Sequence, residues 1–538
     1  MGEEPSPALH VIVLGSGGGP QESNTTAFLV RAASHNWAKS SIVAVDAGVH
    51  LSAITRLLRD ALASSPPAAA LPHTLTSGPF AGLTLPFASP EANATHVTRA
   101  LVDTYLFTHP HLDHIAGFVV NTAGLPGTRP KKIAGLPSTI HAFKTHIFNN
   151  VIWPNLSDEN NGAGLLTYLR LVEGGSPALG DGEAKGYLEV CDGLLVKTWS
   201  VSHGHCIERH SHRGSSASSA SPRFGSHDAS SSTSRREGHP LYAFNHHAQS
   251  SHYPPSAPSS QPLTRSQTLL GQAAFGPGGA SPQASPEVQE RYCVYDSSAY
   301  FIQDADHRRE VLIFGDVEPD SISLNPRNLG IWQEAAPKVA AGTMAAIFIE
   351  CSYDDSQSND RLYGHLKPVF VVEELAVLAA ETEMARRLQS LESRKRKRIA
   401  SISDEPGGRP HPSRMSSSLS SASTPAEEPV SPKSVKPTPL APSAARSAFE
   451  VASPDTPHLA TPTDELSLRE AEELDRDAGV PHRRPLEGLT VVIIHVKDRL
   501  TDGPDVGETI LQQLREHEQD ARLGCEFVVS KPGQSFYF

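Results

Sequence analysis

The sequence predicts an α/β protein with one large ordered core and two long stretches that add nothing to it. Three observations carry that prediction. Short apolar runs closed by Gly, Pro, Asp or Asn alternate with stretches of helical apolar spacing. Four strong metal-binding side chains follow one of the apolar runs within six positions, His109 to His114. Ser and Pro are concentrated in two blocks, while hydrophobic residues make up only 38% of the chain and aromatics 6%, too few for a chain folded throughout.

The first strand is His10-Val11-Ile12-Val13-Leu14, followed by the glycine run Gly15-Ser16-Gly17-Gly18-Gly19-Pro20. A dinucleotide loop would open a helix there and a phosphate loop would carry Lys-Ser/Thr. Neither follows, so the run is read as a turn before a second strand at Ala27–Val30, with a substrate-facing role for its amides left open. A third strand, Ile42-Val43-Ala44-Val45, ends in Asp46-Ala47-Gly48; Asp46 either orients a metal-binding histidine or caps the turn. Leu51 to Leu62 has the apolar spacing of a packed helix, and residues 64–95 read as a loop.

Next comes Tyr105-Leu106-Phe107, the end of a buried strand, and then Thr108-His109-Pro110-His111-Leu112-Asp113-His114-Ile115-Ala116-Gly117. Residues of a strand alternate in direction, so His109 and His111 share a side, and a turn led by Pro110 brings Asp113 and His114 round to face them. This is a site for two metals. Imidazoles suit zinc and its neighbours, and a carboxylate among them is typical of a hydrolytic centre that keeps a water. Beyond it, Ile140 to Phe148 reads as a helix whose His141 and His146 are five apart and share no face. A hairpin through Asp192-Gly193 has a second strand ending at Ser202-His203-Gly204-His205.

Residues 208–286 are Ser, Pro, Gly, His and Gln without periodicity, and read as a disordered insertion. Order returns at Arg291–Ile302, at Val311–Phe314 before Gly315-Asp316, and at Ala345–Tyr353. A helix is expected over Pro368–Leu391 and a second disordered insertion over 393–485. The insertion opens on Arg394-Lys395-Arg396-Lys397-Arg398, which is a nuclear-import signal, a recognition patch for a kinase acting on Ser401, or a solvated charge run. The last elements are a strand within Leu489–Lys497, a helix over Gly507–His517 and a strand at Cys525–Val529; the expected domain runs from 8 to 538 around the two insertions.

His-x-His-x-Asp-His resembles the metal motif of the metallo-β-lactamase fold, and the fuller His109 to Gly117 is similar to the signature of class II cyclic-nucleotide phosphodiesterases, with Asn121 where the family pattern has serine. Ser297-Ser298-Ala299-Tyr300-Phe301-Ile302, Glu350-Cys351-Ser352-Tyr353 and Tyr363-Gly364-His365-Leu366 look like the same family. The resemblance implies an αββα sandwich of two mixed sheets, with the active site at strand ends. It implies two divalent ions, with zinc the expected metal. One would be held by His109, His111 and His203, with His205 as the alternative to His203, and the other by Asp113, His114 and His495. Asp316 would bridge them, although an Asp-x-x-Pro turn also explains its position. Asp113 and His365 become the catalytic side chains; His365 would donate a proton to the leaving oxygen or hold a phosphate oxygen, unless it is only a structural histidine ahead of a helix.

The implied activity is hydrolysis of 3′,5′-cyclic nucleotides to 5′-monophosphates. Two rivals stand beside it: an RNA-processing endonuclease of the same superfamily, and a regulatory or scaffold protein whose insertions carry the function. A formal net charge of −13 speaks against nucleic-acid and anionic-membrane partners. Five scattered cysteines form no disulfide frame, and no signal peptide or membrane-length apolar run is present, so a cytoplasmic location is expected, with nuclear import a further reading.

Overall fold

Apolar side chains on both faces of most strands require a cover on both faces, and the chain meets that requirement in four layers. The computed structural model describes residues 7–64, 71–122, 129–179, 185–208, 291–306, 309–403 and 483–538. One compact unit comprises Met1–Cys206 and Cys293–Phe538; of the other, Ile207–Tyr292, only the ends of two strands are described.

In chain order the first part contains β1 (Leu9–Gly15), β2 (Ala27–Ala32), β3 (Ile42–Ala47), α1 (Leu51–Ala63), the small pair β4 (His73–Thr74) and β5 (Thr84–Leu85), and α2 (Pro90–His96). It continues with β6 (Val102–Leu106), α3 (Leu112–Thr122), β7 (Lys131–Gly135), α4 (Pro137–Ala142) and β8 (Leu166–Arg170). The second part has β9 (Leu188–Cys191), β10 (Leu194–Glu208), β11 (Arg291–Asp304), β12 (Glu310–Phe314), α5 (Asn328–Ala341), β13 (Met344–Glu350) and α6 (Pro368–Ser403). Then come β14 (Thr490–Ile494), α7 (Val506–Ala521), β15 (Glu526–Val529) and β16 (Ser535–Tyr537).

Two seven-stranded sheets result, ordered β16-β1-β2-β3-β6-β7-β8 and β15-β14-β13-β12-β11-β10-β9. Both are mixed: β3, β6, β7 and β8 run parallel in one, and β12 to β15 in the other, with antiparallel pairs beside them. Period-2 alternation assigns the faces. From β1, Val11 and Val13 enter the apolar layer between the sheets, while Ile12 and Leu14 pack outward with Ile54 and Leu58 of α1. From β12, Val311 and Ile313 point into that same central layer, while Leu312 and Phe314 pack outward with Trp332 of α5 and Leu375 of α6. This is the αββα sandwich that the resemblance implied.

Several elements differ from the sequence reading. Residues 64–95 are not one loop: Ser89-Pro90-Glu91 starts α2, where the Ser89 hydroxyl accepts from Ala92 N–H at 3.1 Å and Pro90 occupies the first turn. The helix expected over 140–148 is α4 followed by one wide turn, Phe143–Ile147. Helix α6 continues to Ser403 instead of stopping at Leu391, so the second insertion does not begin at 393 and the basic run rides on the helix. Glu, Arg and Lys are strong helix formers, and no Gly or Pro interrupts before Pro406. Residues 209–290 and 404–482, on which the disorder readings mainly fall, lie outside the described residues. Among the described residues no helix is long and apolar enough to cross a membrane.

Helix α5 was unread because Pro337 interrupts its pattern, yet it covers the second sheet. Its Trp332 is fully buried, and Nε1 donates to Glu374 Oε2 at 2.6 Å; the other oxygen of Glu374 accepts from Asp320 N–H at 2.7 Å. Trp332→Phe should therefore lower stability by about 2 kcal/mol, because it leaves a buried carboxylate oxygen short of its donor. A urea midpoint equal to that of the unaltered chain would contradict this.

Candidate metal centre

The parallel course of β12, β13 and β14 puts their carboxyl ends on one rim, and each end delivers a polar side chain there. Asp316 stands two residues past β12, Glu350 ends β13, and His495 directly follows β14. From the other sheet, β6 runs into the turn at Thr108–His111, and α3 then begins at Leu112, so Asp113 and His114 lie in its first turn. His203 comes from within β10. Gly48 makes the approach of β3 to α3 possible: a Cβ there would lie 1.8 Å from the Asp113 carbonyl oxygen.

The seven side chains named from the sequence converge in two groups that share Asp316. His109, His111, His203 and Asp316 form one, and Asp113, His114, His495 and Asp316 the other, each with donor atoms within 4.8 Å of one another. Asp316 faces both. Its Oδ2 lies 3.6 Å from His109 Nε2 and 3.5 Å from His203 Nε2, and its Oδ1 lies 3.2 Å from His114 Nε2 and 3.3 Å from His495 Nε2. Asp113 Oδ2 is 3.2 Å from His495 Nε2. His205 is exposed and stands outside both groups, whereas His203 is buried within the first. His141 and His146 are exposed.

The hydrogen-bond network fixes which ring nitrogen of four histidines carries the proton. Asp46 accepts from Thr108 N–H and Thr108 Oγ1–H, both at 2.8 Å, and from His114 Nδ1–H at 2.8 Å. With its own proton committed to Asp46, the Thr108 hydroxyl accepts from His109 Nδ1–H at 3.1 Å. His203 Nδ1–H donates to the Gly364 carbonyl at 2.9 Å. Ser352 Oγ–H donates to Glu350 at 2.6 Å and so accepts from His495 Nδ1–H at 3.0 Å. In neutral rings all four Nε2 atoms would then turn lone pairs towards the oxygens of Asp316. Among the described residues His109 Nε2 and Asp316 Oδ1 have no hydrogen-bond partner. A divalent ion in each group would satisfy such a set, and nitrogen and carboxylate donors in this number suit two of them.

Burial and the crowd of imidazoles push His109 well below the ordinary histidine range. For His114 burial acts in the same direction, but the carboxylates of Asp316 and Asp46 outweigh it and raise the group. Burial opposes ionisation of Asp316, yet the surrounding imidazoles hold it well below the usual carboxylate range.

Two structural facts went unread in the sequence. Glu350 is fully buried behind the centre, where it accepts from Val317 N–H at 2.7 Å, from Ser352 and, at 3.0 Å, from His365 Nδ1. A lone glutamate at the end of an apolar strand carries no local signal. The glycine run is the turn expected from the sequence, and what the sequence did not show is that it holds His495: His495 N–H donates to the Ser16 carbonyl at 2.6 Å, and a Cβ on Gly18 would lie 2.4 Å from the His495 ring. Asn121 Oδ1 accepts from Leu51 N–H at 3.0 Å and so caps the start of α1.

Residues 9–174 and 283–394, more than half of the chain, match the family described as cAMP phosphodiesterases class-II. The chain is 26% identical over 369 residues to the 3′,5′-cyclic-nucleotide phosphodiesterase of Schizosaccharomyces pombe, covering 68% of this chain and 73% of that one. It is 24% identical over 407 residues to the 3′,5′-cyclic-nucleotide phosphodiesterase of Candida albicans, covering 70% and 83%. The crystal structure of unliganded yeast PDE1 shares the fold, with a TM-score of 0.53 and 16% identity over 99% of this chain and 100% of that one.

Asp46 holds two elements of the centre at once, yet belongs to neither group of donors. Asp46→Ala should weaken zinc affinity roughly 10- to 100-fold, the usual cost of losing a partner behind a ligating histidine. Competition against a chromophoric chelator measures it, and unchanged affinity would show that Asp46 only caps its turn.

Proposed function

Because this chain belongs to the class-II cAMP phosphodiesterases and is thereby a 3′,5′-cyclic-nucleotide phosphodiesterase, we propose that the two groups sharing Asp316 are its hydrolytic centre. His109, His111 and His203 hold one divalent ion and Asp113, His114 and His495 the other, with Asp316 between them. Zinc is the metal this donor set favours. The observation that carries the reading is the set of four imidazole Nε2 atoms between 3.2 and 3.6 Å from one buried carboxylate.

Two divalent ions bound there would supply positive charge against the phosphoryl oxygens and bring a water into its reactive form near neutral pH. The chain's own groups do the rest. Asp316 keeps the two donor groups in register and offsets their charge. Asp113, with 28% of its side chain exposed, faces the mouth of the site and can accept a proton from the attacking water. His365 lies beside His203, with ring centroids 4.8 Å apart, and Glu350 stands behind its Nδ1. That pair can deliver a proton to the departing 3′ oxygen, which completes conversion of the cyclic phosphodiester to a 5′-monophosphate.

Beside His495 a cavity of about 460 Å³ is lined by Gly18, Gly19, Tyr353, Gln357, Lys497 and Arg499, among others. Its size suits a nucleoside. Ser352 links its wall to the centre through the His495 bond. The amides of the glycine turn and the Tyr353 ring would face the nucleoside.

Purified protein assayed with cyclic AMP and cyclic GMP, with precursor tRNA as the control for the endonuclease alternative, should hydrolyse the cyclic nucleotides alone. A chelator should abolish turnover, and zinc should restore it. His111→Ala should lower turnover by roughly 100-fold or more by removing one metal donor. Cleavage of the RNA, or chelator-resistant turnover, would overturn the reading.

A further inference from the structure

At the opposite end of β6 from the metal centre, about 16 Å along a five-residue strand, lies a second cavity, of about 880 Å³. It sits where β6 and β7 begin, while the proposed hydrolytic centre lies past the end of β6. Five cations line it: Lys39, Arg99, Arg129, Lys131 and Lys132. Among the described residues that line it, two carboxylates, Asp103 and Asp192, oppose them.

Two of the cations have structural duties. Lys132 pairs with Asp103 at 2.8 Å. Lys131 Nζ donates to the carbonyls of Arg99 at 2.8 Å and Val102 at 2.5 Å, at the end of the wide helical turn Val97–Leu101. Lys39, Arg99 and Arg129 have no such duty: among the described residues no carboxylate lies within ion-pair distance of any of them. Burial, opposed by Asp103 and reinforced by Arg99, pushes the Lys131 amine down to about 8. Positive charge is therefore held together here in a chain whose net charge is −13, against its own repulsion.

The wall also carries an aromatic face. Phe87 is 47% exposed and meets His96 edge-on, ring centroids 6.3 Å apart. A solvated cationic patch needs neither a concave wall of this volume nor an exposed ring within it. Guanidinium groups without carboxylate partners suit phosphate oxygens, and an exposed ring suits a stacked base.

We propose that this cavity binds a nucleoside polyphosphate, with its phosphates against Lys39, Arg99 and Arg129 and its base on Phe87. The site is separate from the phosphodiesterase centre and does not depend on the metal assignment.

The test is equilibrium binding of fluorescent mant-ADP to the full-length, metal-loaded chain. Saturable one-to-one binding is expected, weakening with salt and falling about ten-fold or more in Arg99→Glu and in Arg129→Glu. Both side chains are exposed, so melting midpoints and cyclic AMP turnover should match those of the unaltered chain. His111→Ala should bind mant-ADP unchanged. Absence of saturable binding, or loss in His111→Ala with retention in Arg99→Glu, would overturn the proposal, the second by placing the nucleotide at the metal centre. Pyrophosphate competing as well as ADP, with Phe87→Ala without effect, would overturn the nucleotide class in favour of inorganic phosphate alone.

Discussion

The two oxygens of Asp316 impose the constraint that the rest of the centre answers. Each looks at a pair of imidazole Nε2 atoms whose rings are held from the far side at Nδ1, by Asp46 for His114, by Thr108 for His109, by the Gly364 carbonyl for His203, and by Ser352 for His495. Every one of these partners lies on the side of the histidine away from Asp316. The chain thus spends its hydrogen bonds outside the centre and leaves an electron-rich hole inside it. Backbone strain follows the same line: Asp46 and His495 adopt left-handed backbone angles, φ 54° and 58°, which side chains other than glycine rarely accept. Both are pinned by neighbouring elements, Asp46 by Thr108 and His114, His495 by Ser16 and Ser352.

Glu350 ties the two halves together. It receives the backbone of Val317, next to Asp316, the hydroxyl of Ser352, behind His495, and the imidazole of His365, beside His203. Burial, with the charge of Asp316 adding to it, raises this carboxyl above its ordinary range. A carboxyl so placed holds a proton more readily than an exposed glutamate does, and its neighbour His365 is the group proposed to pass a proton to the leaving oxygen. Glu350 would then both orient His365 and keep a proton beside it.

How much was legible follows from where the donors sit in the chain. His109, His111, Asp113 and His114 lie within six residues, so their proximity was legible, but not the means: β6 ends at Leu106, and the first pair sits in a turn and the second in the first turn of α3, not on an alternating strand. His203, Asp316 and His495 come from strands whose adjacency arises only when the sheets assemble; no spacing relates them, and family likeness had to stand in for geometry. Asp46 carried two readings of equal weight because an Asp-x-Gly turn and a buried histidine partner look the same in one dimension. Glu350 was silent for the reason that any single carboxylate is. On the fold, apolar periodicity found most strands, but Pro337 concealed α5, and the basic run Arg394–Arg398 looked like a break although its residues favour helix. The basic cavity was unreadable because Lys39, Arg99 and the 129–132 segment meet only across three parallel strand starts.

On the proposed assignment, electrostatics would give the metals a second task besides chemistry. A cyclic nucleotide is an anion, and the chain it approaches carries a net charge of −13. Asp46, Asp113, Asp316 and Glu350 lie in or directly behind the centre, so in the absence of cations a phosphodiester would meet a concentration of carboxylate charge. Two divalent ions would cancel that charge, since their four positive charges match the four carboxylates when all are ionised, and Lys497 at the cavity wall adds one more to tip the sign. Beyond a Debye length of about 8 Å the general acidity of the surface is screened, so the local sign decides binding. The ions proposed to ready the water would then also make the pocket habitable for the substrate, so that affinity and turnover would depend on them together.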